Sequence, residues 1–358
     1  MLNFHAMMLS GSQTSTASYI ESIEQIEITL AGGSTTGTAT IASVDTSRTV
    51  ILFNGWRSNI NSDLTQLLCY LQLTNATTVT ATRNTGTNAA IVRATVIQFK
   101  STAVSAVRYG TISMGTSTSA TATITSVNTA RSIAFYLGNM ANNTATSDRD
   151  LCDVTLTNAT TVTASRGDAF TNTATVGFVV VEFQAAYVDS VQQVSITIGA
   201  GSTSNTASIS SIDTSRSVLV FKGNTMTDAQ NANTALARVS LTNATTVTAT
   251  RNTSSASFPT SVKATVIQFA SGVIQSIQRG TITIATSSAS QVDSITAIDT
   301  AKTAIFYGGF TSTSTSIFDE NSVFPTLSLS STTSITATRG NADAASSLTA
   351  AYQVVRFI

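Results

Sequence analysis

The sequence predicts an all-β protein made of four tandem antiparallel β-sandwich modules, about six strands each, behind a short N-terminal arm. An eleven-residue segment, Leu73 to Arg83, recurs three times, and its final arginine returns at spacings of 83, 85 and 88 residues. Within it apolar residues alternate with threonine, the period of a half-buried strand. The chain lacks a convincing 3.6-residue apolar period and contains only 2 prolines. Short strands joined by Gly, Asn, Asp and Ser turns are typical of a β-sandwich.

The repeat divides the chain into an arm and four modules. Their links are three or four residues long, which leaves little freedom between neighbours. We therefore expect a compact or rod-like array with fixed angles between modules. The predicted boundaries are 1–21 for the arm and 22–100, 101–185, 186–270 and 271–358 for the modules.

The N-terminal arm fits no repeat, and two interpretations of it stand. It is either a disordered or loosely docked tail, or an arm that adds to a neighbouring subunit and so covers Phe4, Met7, Met8 and Leu9. Its start lacks a basic segment, so a signal peptide is not expected. The single histidine, His5, is read as incidental, since one histidine cannot build a His-based metal site.

Each module runs through the same elements in order. A first strand, such as Ile23 to Leu30, is followed by a Gly/Ser/Thr turn and a second strand. A tight corner follows, where a side-chain oxygen can accept a backbone N–H two residues on. An apolar third strand then runs to a glycine, such as Gly55, and a variable loop leads to the threonine-rich strand. After a second variable loop the last strand closes on a phenylalanine, such as Phe99. The corner residues are Asp45, Asn128, Asp213 and Asp299.

The arginine that ends the threonine-rich strand has two readings. It forms a salt bridge with a corner carboxylate, or it binds an acidic ligand. The salt bridge is favoured because the arginine repeats with the fold and not with the variable loops, although Asn128 and Lys302 break strict pairing. The four arginines are Arg83, Arg166, Arg251 and Arg339.

The cysteines predict free thiols. Cys69 and Cys152 occupy the same place in modules one and two, where modules three and four have Ala237 and Pro325. A small residue at one strand position explains all four. A disulfide would require equivalent points of two modules to approach face to face.

The remaining polar and aromatic candidates point to no chemistry. Loop charges explain Asp148 with Asp150 and Asp319 with Glu320, with a calcium site as the alternative. Trp56, Phe310 and Tyr70 are candidates for stacking on a sugar, but an aromatic side chain that covers a loop is an equal reading. We therefore expect no enzyme activity, no cofactor and no metal.

Composition limits the partners. Charged residues are only 10% of the chain, and 18 basic residues balance 18 acidic ones without a cluster. A nucleic-acid surface is therefore not expected, and no apolar run is long enough for a membrane span. Low charge with high β-propensity is an aggregation risk unless strand edges are covered, so the chain is safer inside an assembly.

The copies are not equally related. Modules one and three share Asp-Thr-Ser-Arg and Ala-Thr-Val-Ile-Gln-Phe, whereas two and four share Thr-Ala before Arg or Lys and a Phe-Tyr pair. This pattern predicts that a two-module unit was duplicated, and that odd and even modules occupy different environments.

Several repeated segments resemble modules of tailed-bacteriophage virion proteins: Arg-Gly-Thr-Ile-Thr-Ile at 279–284, Thr-Ala-Thr-Ile-Thr-Ser-Val-Asn-Thr-Ala-Arg-Ser-Ile at 121–133, Leu-Thr-Asn-Ala-Thr-Thr-Val-Thr-Ala-Thr-Arg at 73–83 and the Val-Val-Glu-Phe ending at 180–183. Strand order and size also resemble the H-type lectin sandwich, a six-stranded module that forms trimers. The resemblance covers residues 22–358.

The resemblance implies a virion structural protein: a head decoration, collar or tail component, assembled in the host cytoplasm. Its implied partners are other virion proteins and copies of itself, as a homo-oligomer such as a trimer. The alternative is a tail-fibre or spike adhesin whose variable loops bind host surface glycans. No sugar-binding residue can be placed, and the loops differ between modules, which favours the structural role.

Overall fold

A computed structural model describes residues 18–59, 63–142, 150–169, 173–227, 231–317 and 319–358. The predicted all-β class with six strands per module is confirmed. Most of the predicted arm lies outside the described residues, but Ile20 already begins the first strand. The expectations for His5 and Asp148 lie outside them too.

The first two modules contain twelve strands between them. In module one they are β1 (Ile20–Leu30), β2 (Thr36–Thr40), β3 (Thr49–Ser58), β4 (Cys69–Asn75), β5 (Thr78–Arg83) and β6 (Ala90–Phe99). In module two they are β7 (Val104–Ser113), β8 (Ser119–Thr123), β9 (Ser132–Ala141), β10 (Cys152–Asn158), β11 (Thr161–Arg166) and β12 (Ala174–Phe183).

The last two modules repeat this order. In module three the strands are β13 (Val188–Ile198), β14 (Ser204–Ser208), β15 (Ser217–Met226), β16 (Ala237–Asn243), β17 (Thr246–Arg251) and β18 (Thr260–Phe269). In module four they are β19 (Ile274–Ile284), β20 (Ser290–Ser294), β21 (Thr303–Ser312), β22 (Thr326–Ser331), β23 (Ser334–Thr338) and β24 (Leu348–Phe357). Within the described ranges, three single-turn α-helices lie in the loops: α1 (Leu64–Leu67), α2 (Ala232–Ala235) and α3 (Glu320–Val323).

Neighbouring modules share sheets. Each module divides into two three-stranded halves, for example β1-β6-β3 and β2-β5-β4 in module one. Each half joins a half of a neighbouring module to form a six-stranded antiparallel sheet. Module one joins both module two, through β4 and β9, and module four, through β3 and β22. The chain therefore closes into a propeller-like ring of four sheets, the compact alternative of the two predicted arrays.

A glycine makes each of the four joins. Gly55 pairs with Thr326 of module four, and its φ of +103° favours glycine. A Cβ placed on it would lie 2.1 Å from the main-chain oxygen of Pro325. Because the two backbones meet where a side chain would have to lie, the glycine that ends the apolar run allows the two half-sheets to join into one sheet. The equivalent glycines are Gly138, Gly223 and Gly309.

Aromatic side chains fill the axis of the ring at two levels. The first level contains Phe53, Tyr136, Phe221 and Tyr307; for example, the ring centroids of Phe53 and Tyr136 are 5.8 Å apart. The second contains the phenylalanines that close the modules, with neighbouring centroids 5.9–6.5 Å apart, around a buried tyrosine, Tyr187. These second-level residues are Phe99, Phe183, Phe269 and Phe357. The centre of the ring is therefore a packed core.

Odd and even modules differ in one cross-strand pair of this core. In odd modules a branched residue faces alanine, as Ile26 faces Ala94. In even modules glycine faces a large ring, as Gly110 faces Phe178 and Gly280 faces Tyr352. Both solutions place one bulky side chain at the same layer of the core, as close packing requires. The ring thus carries a pseudo-repeat of two modules at this position.

Candidate functional site

The repeated arginine is buried and donates hydrogen bonds to main-chain carbonyls of separate segments, an arrangement that we call the arginine staple. Arg83 is 2% exposed, and its guanidinium donates to the carbonyl oxygens of Ser34 (3.0 Å from Nε), Gln66 (2.6 Å) and Ala31 (2.8 Å). The five N–H donors of the guanidinium allow it to bond several carbonyls at once; the carbonyl of Ala31 also accepts the backbone N–H of Ser34 at 3.1 Å. In all four modules Nε donates to the equivalent serine carbonyl at 2.8–3.0 Å: Arg83 to Ser34, Arg166 to Ser117, Arg251 to Ser202 and Arg339 to Ser288.

The predicted salt bridge between these arginines and the corner carboxylates is wrong. Asp45 instead pairs with Arg48, 2.8 Å away and three residues along, and Asp213 pairs with Arg216 at 3.1 Å. The corner lies at the protein surface, whereas the arginine head is buried among backbone oxygens. Burial lowers the pKa of Arg83 and of Arg339.

The corner itself has the predicted turn chemistry. Each corner oxygen accepts the backbone N–H two residues on and so caps a 3₁₀ turn. Bonds from Ser47 and Arg48 lower the pKa of the Asp45 carboxyl to about 2. The recurrence of Asp or Asn therefore has a local structural cause. The four donor–acceptor distances are 3.0 Å at Asp45, 3.0 Å at Asn128, 2.9 Å at Asp213 and 3.1 Å at Asp299.

The aromatic candidates for ligand stacking are buried. Trp56 is 4% exposed, donates its indole N–H to the carbonyl of Cys69 at 2.9 Å and packs against Phe53. Phe310 is 5% exposed and packs against Phe324. The stacking prediction is wrong for both, because they fill the core beside the glycine joins. Tyr70 is half-buried and contacts Gly177 of the next module.

Both cysteines are free and buried, as predicted. Burial raises the pKa of the Cys69 thiol to about 12 and moves the pKa of Cys152 in the same direction. The thiolate, which is the reactive form, is therefore suppressed.

The acidic loop residues Asp150 and Asp319 lie in different environments. Asp150 is 1% exposed, so its reading as a solvated loop charge is wrong. Asp319 lies in a polar depression of about 400 Å³, where its carboxylate accepts the hydroxyl of Ser314 at 2.9 Å. Across the described ranges, no three His, Cys, Asp or Glu side chains gather as metal ligands would. No helix in that part of the chain is long and apolar enough to span a membrane.

A charged cluster at the join of modules two and three was not predicted. Lys263 donates to Asp153 at 2.9 Å, and the buried Lys222 donates to Gln193 at 3.1 Å. Burial lowers the pKa of Lys222 to about 7, and it raises the pKa of Asp153 because desolvation outweighs the attraction of Lys263. A lysine inside an otherwise apolar third strand was the available sequence signal.

The join of modules three and four contains a cavity of about 250 Å³. Apolar side chains of module three, including Leu219 and Leu241, face small residues of module four there, including Gly308 and Ala351. The cavity is large enough for a small molecule, and no motif of the sequence marks it.

Comparisons with known proteins add little. No protein-family model matches this chain, and no curated protein is significantly similar to it. Among solved structures, it is similar to a chain described under "The Triple Jelly Roll Fold and Turret Assembly in an Archaeal Virus". That similarity has a TM-score of 0.18 and 9% sequence identity, and it covers 71% of this chain and 91% of the other. At this score it carries no argument about fold or function.

Proposed function

We propose that the chain is a non-enzymatic structural protein of a bacteriophage virion. In this role it packs on the particle as a head decoration, collar or tail component. Its partners are copies of itself, in a homo-oligomer such as a trimer, and other virion proteins. The observation that carries the proposal is a set of uncharged strand edges on the ring.

These edges belong to the second strand of every module. β2, β8, β14 and β20 each end a six-stranded sheet. Their twenty residues are almost all Ser, Thr, Ala, Asn, Gln or Gly, with Asp293 as the sole charge. Val292 in β20 is 53% exposed. Monomeric proteins protect such edges with charges, proline or a covering element, so bare edges favour a chain that is covered by neighbours in an assembly.

The opposite sheet edges differ. β1, β7, β13 and β19 carry charged residues, among them Glu24 in β1 and Arg108 in β7. A side chain of each strand also bonds the backbone that follows the uncharged edge strand: Glu24 accepts the N–H of Ala42 at 3.1 Å, and Arg108 donates to the carbonyl of Ser126 at 3.2 Å. Gln192 and Gln278 do the same in the other modules. One edge of each sheet thus carries charged residues, whereas the other carries almost none. The first strand covers part of the uncharged edge, since Asn205 of β14 donates to the carbonyl of Thr197 in β13 at 2.8 Å, and the exposed threonines of that edge are left for contacts.

The burial of aromatic residues weakens the adhesin alternative. Two of its three stacking candidates, Trp56 and Phe310, are packed in the core. The buried, hydrogen-bonded arginines likewise leave no reason to assign them an acidic ligand.

Immunogold labelling of purified virions with an antibody against the chain tests the proposal. Regular labelling of the head, collar or tail is expected, and unlabelled intact virions would overturn it. Saturable, module-dependent binding on a glycan array would instead favour the adhesin.

Sedimentation velocity tests the role of the bare edges. Thr38→Lys and Thr206→Lys place a charge at the centre of two bare edges, where both side chains are exposed. They should reduce self-association without changing the fold. Thr29→Lys, at an exposed position on the protected edge strand β1, is the matched control and should have little effect. Equal association of all three variants and the wild type would exclude the bare edges as the contact surface.

A further inference from the structure

Each module leaves one side of its sandwich open, and the sheet of the following module closes it. Two positions of the closing sheet face this opening at every join. One is the residue before the joining glycine; the other lies in the last strand. In modules one to four, in order, the two positions hold Asn54 with Arg93, Leu137 with Gly177, Lys222 with Lys263, and Gly308 with Ala351.

At three of the four joins, side chains of the protein occupy this place. Between modules one and two, Leu137 is fully buried and Tyr70 covers Gly177, where an added Cβ would lie 2.9 Å from the Cβ of Tyr70. Between modules four and one, Asn54 donates to the carbonyl of Ile305 at 3.1 Å. Between modules two and three, two lysines occupy the same place, held by Asp153 and Gln193.

The fourth join is left open. Gly308 and Ala351 are the smallest of the four pairs, and the cavity of about 250 Å³ lies against them. Twelve buried residues of module three, including Leu219 and Val239, also form a separate apolar cluster, whereas its other buried residues belong to the cluster shared by all four modules. The cavity therefore marks the point where closing side chains are missing.

The walls define the chemistry of an occupant. Leu219, Val239 and Leu241 of the module-three core line one side. On the other side, the amide of Gln353 is already bonded to the backbone N–H and carbonyl of Leu219. Arg279 is the charged residue of the lining, and its guanidinium reaches across the join to the carbonyl of Thr214 at 2.7 Å. An apolar body with an anionic head matches this arrangement.

We infer that this cavity is a binding site for a small apolar carboxylate, which would take the place of the side chains that close the other three joins. Displacing water from an apolar cavity is favourable without any polar contact. The positive charge of Arg279, whose guanidinium also donates to the carbonyls of Thr214 and Ser217, adds a preference for a negative head group over a positive one. This inference does not depend on the proposed virion role.

Methyl NMR of the full-length chain, titrated with 4-isopropylbenzoate, tests the inference. Saturable shifts are expected at the methyl groups of Leu219 and Leu241. The matched amine, 4-isopropylbenzylamine, should bind about tenfold more weakly, since its head is repelled by Arg279. Arg279→Gln should remove most of this difference between the two probes.

Filling the cavity provides the matched control. Ala351→Met should reduce carboxylate binding at least about tenfold by occupying the space, whereas Ala351→Gly should retain it. Thermal unfolding confirms that each variant is folded. If Ala351→Met does not fold, Ser240→Phe, at the half-buried lining position Ser240, replaces it. Absence of saturable shifts in the wild type, or undiminished binding in the filled variant, would overturn the inference.

Discussion

Replacing Arg83 with methionine tests the arginine staple. Methionine retains much of the aliphatic volume but no donor. Five main-chain carbonyls accept from the guanidinium, those of Leu30, Ala31, Ser34, Gln66 and Gly86. The two bonds of 3.3–3.4 Å, to Gly86 and Leu30, are the weakest.

The expected cost follows from the carbonyls that lose their donor. A buried acceptor without a partner costs about 1–3 kcal/mol. Ser34, Gln66 and Gly86 are only half-buried and Ala31 is exposed, so water can replace part of what these carbonyls lose. The carbonyls of Ala31 and Gly86 also keep a backbone N–H donor, from Ser34 at 3.1 Å and from Gly33 at 2.5 Å. The buried carbonyl of Leu30 and the partly covered carbonyls together lead us to expect that the variant lowers the free energy of unfolding by about 2 kcal/mol.

Urea unfolding followed by circular dichroism measures this change. Arg48→Met is the matched control, because it removes a surface arginine whose carboxylate partner, Asp45, is exposed. Exposed ion pairs contribute little, so the control should unfold close to the wild type. Arg83→Lys should recover little, since an ammonium cannot reproduce the planar fork. Equal changes in the free energy of unfolding for Arg83→Met and Arg48→Met would refute the proposed role of the arginine staple.

Three further predictions concern the interior of the ring. Lys222 loses its proton near pH 7 in the folded chain, but near its ordinary pKa of 10.5 when unfolded. The unfolded state therefore binds more protons between these two pH values, and the free energy of unfolding should rise with pH across that window. Lys222→Leu should flatten this dependence when urea midpoints are measured at pH 7 and 9.5. An unchanged pH dependence in the variant would contradict the lowered pKa of Lys222. Cys69 and Cys152 should react with iodoacetamide only after unfolding in urea, so rapid labelling of the native chain would show that the thiols are accessible. Gly110→Ile should lower the melting temperature, because a Cβ there would lie 2.5 Å from the ring of Phe178. Adding Phe178→Ala recreates the residue pair of the odd modules and should restore most of the melting temperature. A double variant no more stable than the single one would show that the two residue pairs are not interchangeable.

The sequence predicted the strands and turns well because their signals are local. Alternating threonine strands, the capping Asp45 corner and the equivalent cysteines each depend on neighbours a few residues away, and all three predictions are confirmed. The odd and even copies were visible for the same reason.

The joins were less predictable because their contacts are distant in the chain. Gly55 meets Thr326 across more than half the sequence, and nothing near either residue indicates that pairing. Trp56 follows such a glycine and looks like a loop aromatic until the join buries it. The cavity beside Gly308 depends on which side chains are missing, so it emerges only when the four joins are compared in space.

Small-angle X-ray scattering of the monomeric chain, separated by size exclusion, tests the closed ring most directly. A compact chain of this length should have a radius of gyration of about 21 Å. Four modules in an open row would give a value well above about 30 Å. A value near the first supports the strand pairing between modules one and four, and a value near the second would contradict it.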